Sequence, residues 1–504
     1  MNKYVFRIET WWCSTINNKN NVTIHDNFIK FEEDRKLFLT EIQGVKIWHY
    51  IRLNVFASIL KEKYHLEHTE YSMKHFSKLK RAYLLFKKIP NMIFKNPVWF
   101  VDQKDLLVFC HPRRVKNDNG YYECIYTDEL LRTTEYSYLA TEHIYWISGD
   151  HFKPVLTNNL TYYDYVDFIR VMKKLFMITT FRFKIKQSEY ELIEGIIDDL
   201  NHHMNTSIKK EAFIRTIKNS IYSYYASIPT LSKMLDNIKP KIIIETASYS
   251  FSSILINELA KRRGIKTIEL QHGFMGRQHL GYNFPRNLSY LEGFPDHIFL
   301  YGDYWKESIR VPLEENRLKV TGFPYFDSII NKYKIIDRKR NYKTIIFISQ
   351  STIGKQLSKI AVELSDLLDD KFLIYYKLHP GEYDHWKEKY PWLCMRNNLE
   401  VLDNNYRSIY YYFRLSDYQI GVYSTALFEG MGFGLKTFLL NLPPYNSFHE
   451  KIMKNNYAKV VNNSNDIIKN IETDNRVFRN GKEYFFKSNG LSNIHKEIKS
   501  IIKK

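Results

Sequence analysis

Short apolar segments, each ending in a polar turn and followed by helical periodicity, recur through residues 105–445, and the series breaks and restarts near residue 330. Such alternation indicates βαβ units, because parallel neighbours need a crossover long enough to hold a helix. In the first series the strands are Leu106–Cys110, Ile242–Glu245 and Thr267–Leu270, joined by the apolar runs of DHIFLYGDYW (296–305) and RLKVTGFPYFD (317–327). Between them, 188–237 reads as a long helical region, and SSILINELAKRRG as a helix closed by Gly264 at its C-cap. The charged segment IINKYKIIDRKRNYK reads as a linker. Beyond it the pattern resumes with strands at 344–348, in KFLIYYKLHPGE up to His379, at 399–403, in SDYQIG and in LKTFLL, the last stopped by Pro443 and Pro444. The expected architecture is two serial Rossmann-like α/β halves whose carboxyl strand edges face one cleft, the side of an open parallel sheet on which ligands bind.

The 504 residues suffice for two to four domains, and 44% hydrophobic content supports a sizeable core. A net charge of +19 favours anionic partners. The charge thickens in two acid-free runs, seven Lys or Arg from Lys74 to Lys95 and six from Arg170 to Lys186, both interleaved with apolar residues. A basic amphipathic helix of this kind either lies on an anionic membrane or packs its apolar side and solvates the rest. The four cysteines lack CxxC or CxxH spacing, which argues against a zinc site and a disulfide scaffold. The N-terminal residues MNKYVFRIETWWCST have no apolar run of signal length, and no run anywhere is long enough to span a bilayer. A cytoplasmic protein is expected, with peripheral contact to the inner face of the cell membrane left open.

Three strand ends carry residues suited to chemistry. His272, in Gln271-His272-Gly273 after TIEL, is a candidate base for an acceptor hydroxyl, since imidazole titrates near neutrality. His379, followed by Pro380-Gly381-Glu382, projects from the second half's edge and could donate to a nucleotide phosphate, with Lys377 on the same face. A second His-Pro pair, His111-Pro112, follows the first strand and cautions against reading much into the dipeptide. Ser424 and Thr425 fall where a strand turns into a helix, so their hydroxyls either cap that helix or hold an anion there. Glu429, one turn on, either takes a ribose diol or simply faces solvent, and Ser349 is a lesser candidate for the same phosphate, reading first as a plain turn hydroxyl. Glu245, at its own strand end, is the second choice as base.

Taken in order, QHG, GFPYFD, KLHPGE and RLSDYQIGVYSTALFEG resemble motifs of the bacterial CDP-glycerol glycerophosphotransferases of teichoic acid synthesis. They are also similar to those of capsule polymerases, Kdo transferases and polysialyltransferases, whose HP and Ser-Ser/Thr motifs hold a CMP-activated donor. The resemblance covers roughly 240–445 and implies an α/β enzyme of GT-B type: an inverting, metal-independent glycosyltransferase needing no cofactor beyond its nucleotide-activated donor. Carried over by position, His272 becomes the base, His379, Ser424 and Thr425 become ligands of the donor phosphate, and Gly322, Pro324 and Asp327 mark the hinge. Lys377 stands where the first family has Arg, Gln271 where it has Trp, and Thr425 where it has a second Ser. CMP-sugar, CDP-alditol and UDP-sugar donors therefore all stay open. The implied partners are a nucleotide sugar and an oligo- or polysaccharide acceptor, lipid-linked acceptors included.

The expected division is a helical accessory or membrane-surface segment (1–100), an acceptor half (101–330), a donor half (331–470) and a helical tail (471–504). Two rivals remain: a UDP-sugar-dependent transferase or UDP-sugar 2-epimerase on the same scaffold, and a non-catalytic nucleic-acid-binding protein. No nucleic-acid-binding motif accompanies the charge, so nucleic acid is not an expected partner.

Overall fold

The computed structural model describes residues 24–64, 78–99, 101–145, 148–180, 182–337, 340–394, 396–422, 424–442, 452, 455–472 and 481–503. Cys13, Pro443 and Pro444 lie outside the described residues. Two large sheets carry the fold. The first contains β1 (Leu106–Cys110), β2 (Tyr138–Glu142), β3 (Leu160–Tyr162), β4 (Ile242–Glu245), β5 (Lys266–Leu270), β6 (His297–Leu300) and β7 (Leu318–Val320), in the order β7-β6-β5-β4-β1-β2-β3. The second contains β8 (Lys343–Ile348), β9 (Phe372–Lys377), β10 (Leu399–Leu402), β11 (Tyr418–Gly421), β12 (Lys436–Leu440) and β13 (Lys459–Val461), in the order β10-β9-β8-β11-β12-β13. All neighbours within both sheets pair in parallel.

Each sheet therefore follows the doubly wound Rossmann order, in which the strand sequence reverses beside the first strand. The reversal falls between β1 and β4 in the first sheet and between β8 and β11 in the second. The fold class expected from the sequence is observed. Continuous apolar strands such as β1, buried at all five positions, are what a sheet covered on both faces requires. The sequence reading missed β2, β3 and β13. It also read 188–237 as one helical region, where Gln187–Met204 and Lys210–Ile238 are separate helices. The start of the charged segment near 330 is not a free linker either: Pro324–Lys334 is a helix with Pro324 in its first turn, where the missing N–H costs nothing.

The principal helices, in chain order, are α1 (Ile24–Asp34), α2 (Ile47–Lys63), α3 (Lys78–Phe94), α4 (Asp164–Thr179), α5 (Gln187–Met204), α6 (Lys210–Ile238), α7 (Phe251–Lys261), α8 (Pro324–Lys334), α9 (Gly354–Leu367), α10 (Ala426–Gly432) and α11 (Gly490–Ile502). Helices α1 and α2 belong to the same core as the first sheet, through Phe28, Trp48, Ile51 and Phe56. The buried Arg52–Glu32 ion pair between them ties them to the carboxyl edge of the sheet. Arg52 makes a two-point bond to Glu32 and donates further to the carbonyls of Leu280 and Asn283, in the long loop that follows β5. A guanidinium this buried is tolerated because its donors are engaged.

The opposite face of the first sheet is covered by α11, whose Ile494, Ile498 and Ile501 pack on Leu106, Val108, Ile242 and Ile244. The chain thus crosses to the second sheet and returns to finish the first. The return is fastened at the crossover: Lys487 N–H donates to the Tyr301 carbonyl, and Asp327 accepts the Gly490 N–H at the start of α11. Gly322 has φ +95°, and a β-carbon there would stand 2.1 Å from the Lys487 carbonyl oxygen, so the returning chain passes against bare backbone.

Ile498 is fully buried in this contact. Ile498→Ala is expected to lower the unfolding free energy by about 2–5 kcal/mol, read from the urea midpoint at unchanged slope.

Candidate functional site

The switch point of the first sheet lies where β1 ends in His111 and β4 in Glu245, with His272 beyond the end of neighbouring β5. The rings of His111 and His272 lie nearly parallel, 5.9 Å apart. Tyr126 stands edge-on to both and donates its hydroxyl to the His272 carbonyl at 2.7 Å. The Tyr249 hydroxyl lies 3.1 Å from His272 Nε2, so the ring is oriented from the side and its backbone from below. Sequence reasoning had set His111 aside as a caution; the fold makes it the neighbour of His272. The signal was present, a His-Pro ending the strand beside the switch point, but the strand order that gives it meaning was not.

The loop bearing His111 is held by buried charges. Arg114 bonds Glu142 at 2.8 Å and also reaches Asp128 and Thr157, and His151 lies between Glu142 and Asp164. The Arg113 N–H donates to His111 Nδ1 at 3.1 Å, which places the proton of a neutral ring on Nε2.

Glu245 does not share this surface. It is 1% exposed and accepts from Asn257 of α7 at 2.6 Å. It sits opposite the equally buried Glu269 on β5. Burial, with Glu269 adding repulsion, pushes its carboxyl up to about 8, so it is held protonated at neutral pH. Glu269 is itself bonded by Ser248 and by the Tyr282 hydroxyl. The pair lies against α7, beneath the strand ends.

In the second half, β8 and β11 flank the switch point. His379 caps a short turn after β9: its Nδ1 accepts the Gly381 N–H at 3.1 Å and lies 3.3 Å from the Ser351 hydroxyl. Its own N–H donates to Glu382 at 2.8 Å. With Nδ1 accepting, Nε2 carries the proton and is the donor available to a ligand. Burial lowers the pKa of His379, against a smaller opposing pull from Glu382, which favours this neutral donor form. Pro380 opens the turn at its first position.

Lys377 points elsewhere. Its ammonium donates to the Tyr383 hydroxyl, the Asn404 carbonyl and the Asn405 side chain. Burial lowers its pKa to about 8. Three partners use its three protons, so it pins the loop after β10 beside His379. Ser349 is buried, accepts the Tyr376 hydroxyl at 3.3 Å and donates its N–H to the Lys377 carbonyl. It lies below the edge, whereas Ser351, which the sequence reading did not single out, lies beside His379.

At the other side of the switch point, Ser424 accepts the Ala426 N–H at 3.3 Å and so performs the capping. Thr425 is exposed and makes no cap bond with its side chain. Glu429, in α10, is bonded by Tyr410; burial lifts its carboxyl to about 7, partly offset by that bond and by the charge of Arg113 from the first half. The two halves therefore approach at this point: Phe274, two residues past His272, packs on Phe428 beside Glu429, and Tyr126 stacks on Phe323 at the crossover. Among the described residues, no group of three or more His, Cys, Asp or Glu is placed to hold a metal ion.

No known family matches the chain by sequence, and no curated protein does. Solved structures of similar fold include the UDP-GlcNAc 2-epimerase of Neisseria meningitidis bound to UDP-GlcNAc, 12% identical, with 79% of this chain and 99% of that one aligned at a TM-score of 0.46. Another is the UDP-GlcNAc 2-epimerase of Methanocaldococcus jannaschii, 12% identical over 79% and 99%, at 0.45. The wall teichoic acid polymerase TagF aligns over 85% of this chain and 99% of its own at 12% identity and 0.41.

Proposed function

We propose that the protein is an inverting glycosyltransferase that moves a sugar or alditol phosphate from a nucleotide-activated donor, CMP- or CDP-linked, onto a cell-surface polysaccharide acceptor. The observation that carries this reading is that two sheets, of seven and six strands and both in the doubly wound order, each carry a histidine at the carboxyl edge near the switch point, His272 beside His111 and His379 beside Ser351. In this reading one ring serves as the base and the other as a neutral donor.

In this reading the donor nucleotide lies on the second half. Nε2–H of His379, the Thr425 hydroxyl and the adjacent backbone meet the phosphate, while Lys377 positions the loop beside them. Glu429 takes the ribose hydroxyls. The acceptor lies on the first half, where His272, oriented by Tyr249 and Tyr126, removes the proton from the attacking hydroxyl. Donors fixed before the reaction stabilise the charge that grows on the departing phosphate without reorganising. Glu245, buried against α7, is assigned no contact with substrate. For the same reason the buried carboxylate pair lends no support to an epimerase, whose chemistry would need carboxylates around the sugar.

Thermal melts with CMP, CDP, UMP, UDP, GDP and TMP test the donor side, since a ligand of the folded state alone raises the melting temperature. A cytidine nucleotide is expected to shift the wild type, and His379→Ala to abolish the shift. Stabilisation by UDP alone, with conversion of a UDP-sugar in the absence of acceptor, would sink the transferase reading. His272→Ala is expected to lower turnover by about 100- to 10,000-fold with nucleotide affinity retained, the usual range for a lost general base.

Glu245→Gln separates the two candidate bases. Turnover should survive it. Stability should also respond, because a carboxyl raised from 4.5 to about 8 favours folding below pH 4.5 and loses that contribution as pH rises to 8. The variant should lack this decline in chemical denaturation. Glu429, ionised above about 7, should bind ribose hydroxyls better there; nucleotide affinity is expected to fall as pH drops below 7 in the wild type and to stay flat in Glu429→Gln.

A further inference from the structure

The helices that carry the two acid-free basic runs, α3 and α4, come together in space. Helix α3 packs against α4 at the β3 edge of the first sheet, where the Tyr162 N–H donates to the Lys95 carbonyl at 2.6 Å. Helix α4 is in turn seated along α6 and anchored there by Lys174, whose ammonium is bonded to the Asn219 carbonyl and the Ser223 hydroxyl. The pair is therefore a fixed part of the first half, with one side packed and one side outward.

The outward side is apolar. Ten of the twenty-two large hydrophobic side chains left exposed among the described residues lie on these two helices. Phe94 is 82% exposed and Phe86 74%; on α4, Phe176 is 62% exposed, and Met172 and Leu175 each about half. Phe86 and Ile93, and likewise Phe168, Met172 and Leu175, recur at the spacing of a single helical face. Large apolar side chains left exposed together on single helical faces mark a contact.

Charge identifies the partner. Beyond Lys87, paired with Asp150, and Arg170, paired with Asp167, the runs carry Lys88, Lys95, Lys173, Arg182, Lys184 and Lys186, and neither 78–95 nor 168–188 contains an Asp or Glu. Lysine is depleted from the cores of protein–protein contacts, whereas aromatic and aliphatic side chains among lysines and arginines are what an anionic bilayer surface binds. No helix among the described residues is long and apolar enough to cross a membrane, so the contact is with the surface.

We infer that the outward face of α3 and α4 is a docking surface for an anionic lipid bilayer, into whose interface Phe86, Phe94, Leu175 and Phe176 insert while the flanking cations meet the headgroups. The inference stands independently of the transferase reading, because the face is made by helices that contribute nothing to the strand-end site.

Sedimentation of the whole protein with vesicles tests it. Vesicles of phosphatidylcholine with phosphatidylglycerol should capture the wild type, and phosphatidylcholine alone should not. Raised salt should weaken capture. The pair Phe94→Ser/Phe176→Ser should reduce partitioning by about tenfold or more, with melting temperature and nucleotide-induced stabilisation unchanged. Two results would overturn the proposal. One is no capture by anionic vesicles, or capture that the pair leaves intact. The other is sedimentation equilibrium showing a wild-type oligomer that the pair dissociates, which would make a second copy the occupant. A loss of nucleotide response with vesicle binding preserved would count against the transferase reading alone.

Discussion

Parallel pairing is the constraint from which the other features descend. It places the carboxyl end of every strand in a sheet on one edge. With the first strand in the middle of the order, crossovers leave it in opposite directions, so that edge opens beside it. The opening exists because of connectivity, before any particular side chain is considered. Here the same order occurs twice, and the segments that come off the two openings are the ones carrying His111, His272, Ser351, His379 and Thr425. What the remaining residues must do is hold those segments still.

That holding is done largely by buried charge. Arg52 and Glu32 fix the loop after β5 from the N-terminal helices, and Arg114 with Glu142, Asp128 and His151 fixes the loop after β1. Such groups add little net stability compared with apolar replacements, but they are demanding about geometry, because an unpaired buried charge is costly. Lys377 belongs with them: its bonds to Tyr383, Asn404 and Asn405 set the position of the loop after β10. The geometry of the edge depends on charges that do not reach it.

Much of this was legible in the sequence. Leu106–Cys110 and the stretches Ile242–Ile244 and Ile345–Ile348 are unbroken apolar runs, and a strand covered on both faces reads that way. Strands β2 and β3 were not legible for the converse reason: YLATE mixes Thr and Glu into the run, and LTY is too short to show any period. His272 and His379 could be found because each directly follows a clear strand. The pairing of His111 with His272 could not, since it depends on β1 and β5 flanking β4, and strand order leaves no trace in local pattern. Ser349 and Ser351 show the same limit at finer scale. Both follow β8, and only the turn geometry puts one under Tyr376 and the other beside His379.

The return of α11 to the first sheet bears on how the chain is made. A ribosome delivers β1 to β7 early, yet one face of that sheet, with Leu106, Val108, Ile242 and Ile244, is covered only in part, by Cys124, Leu130 and Leu131, until the entire second half has emerged and α11 follows. During synthesis the first half is therefore an adhesive intermediate, greasy on one side, at the stage when nascent chains are most prone to aggregate. The native state closes last where it began first, and the two halves mature together instead of one after the other.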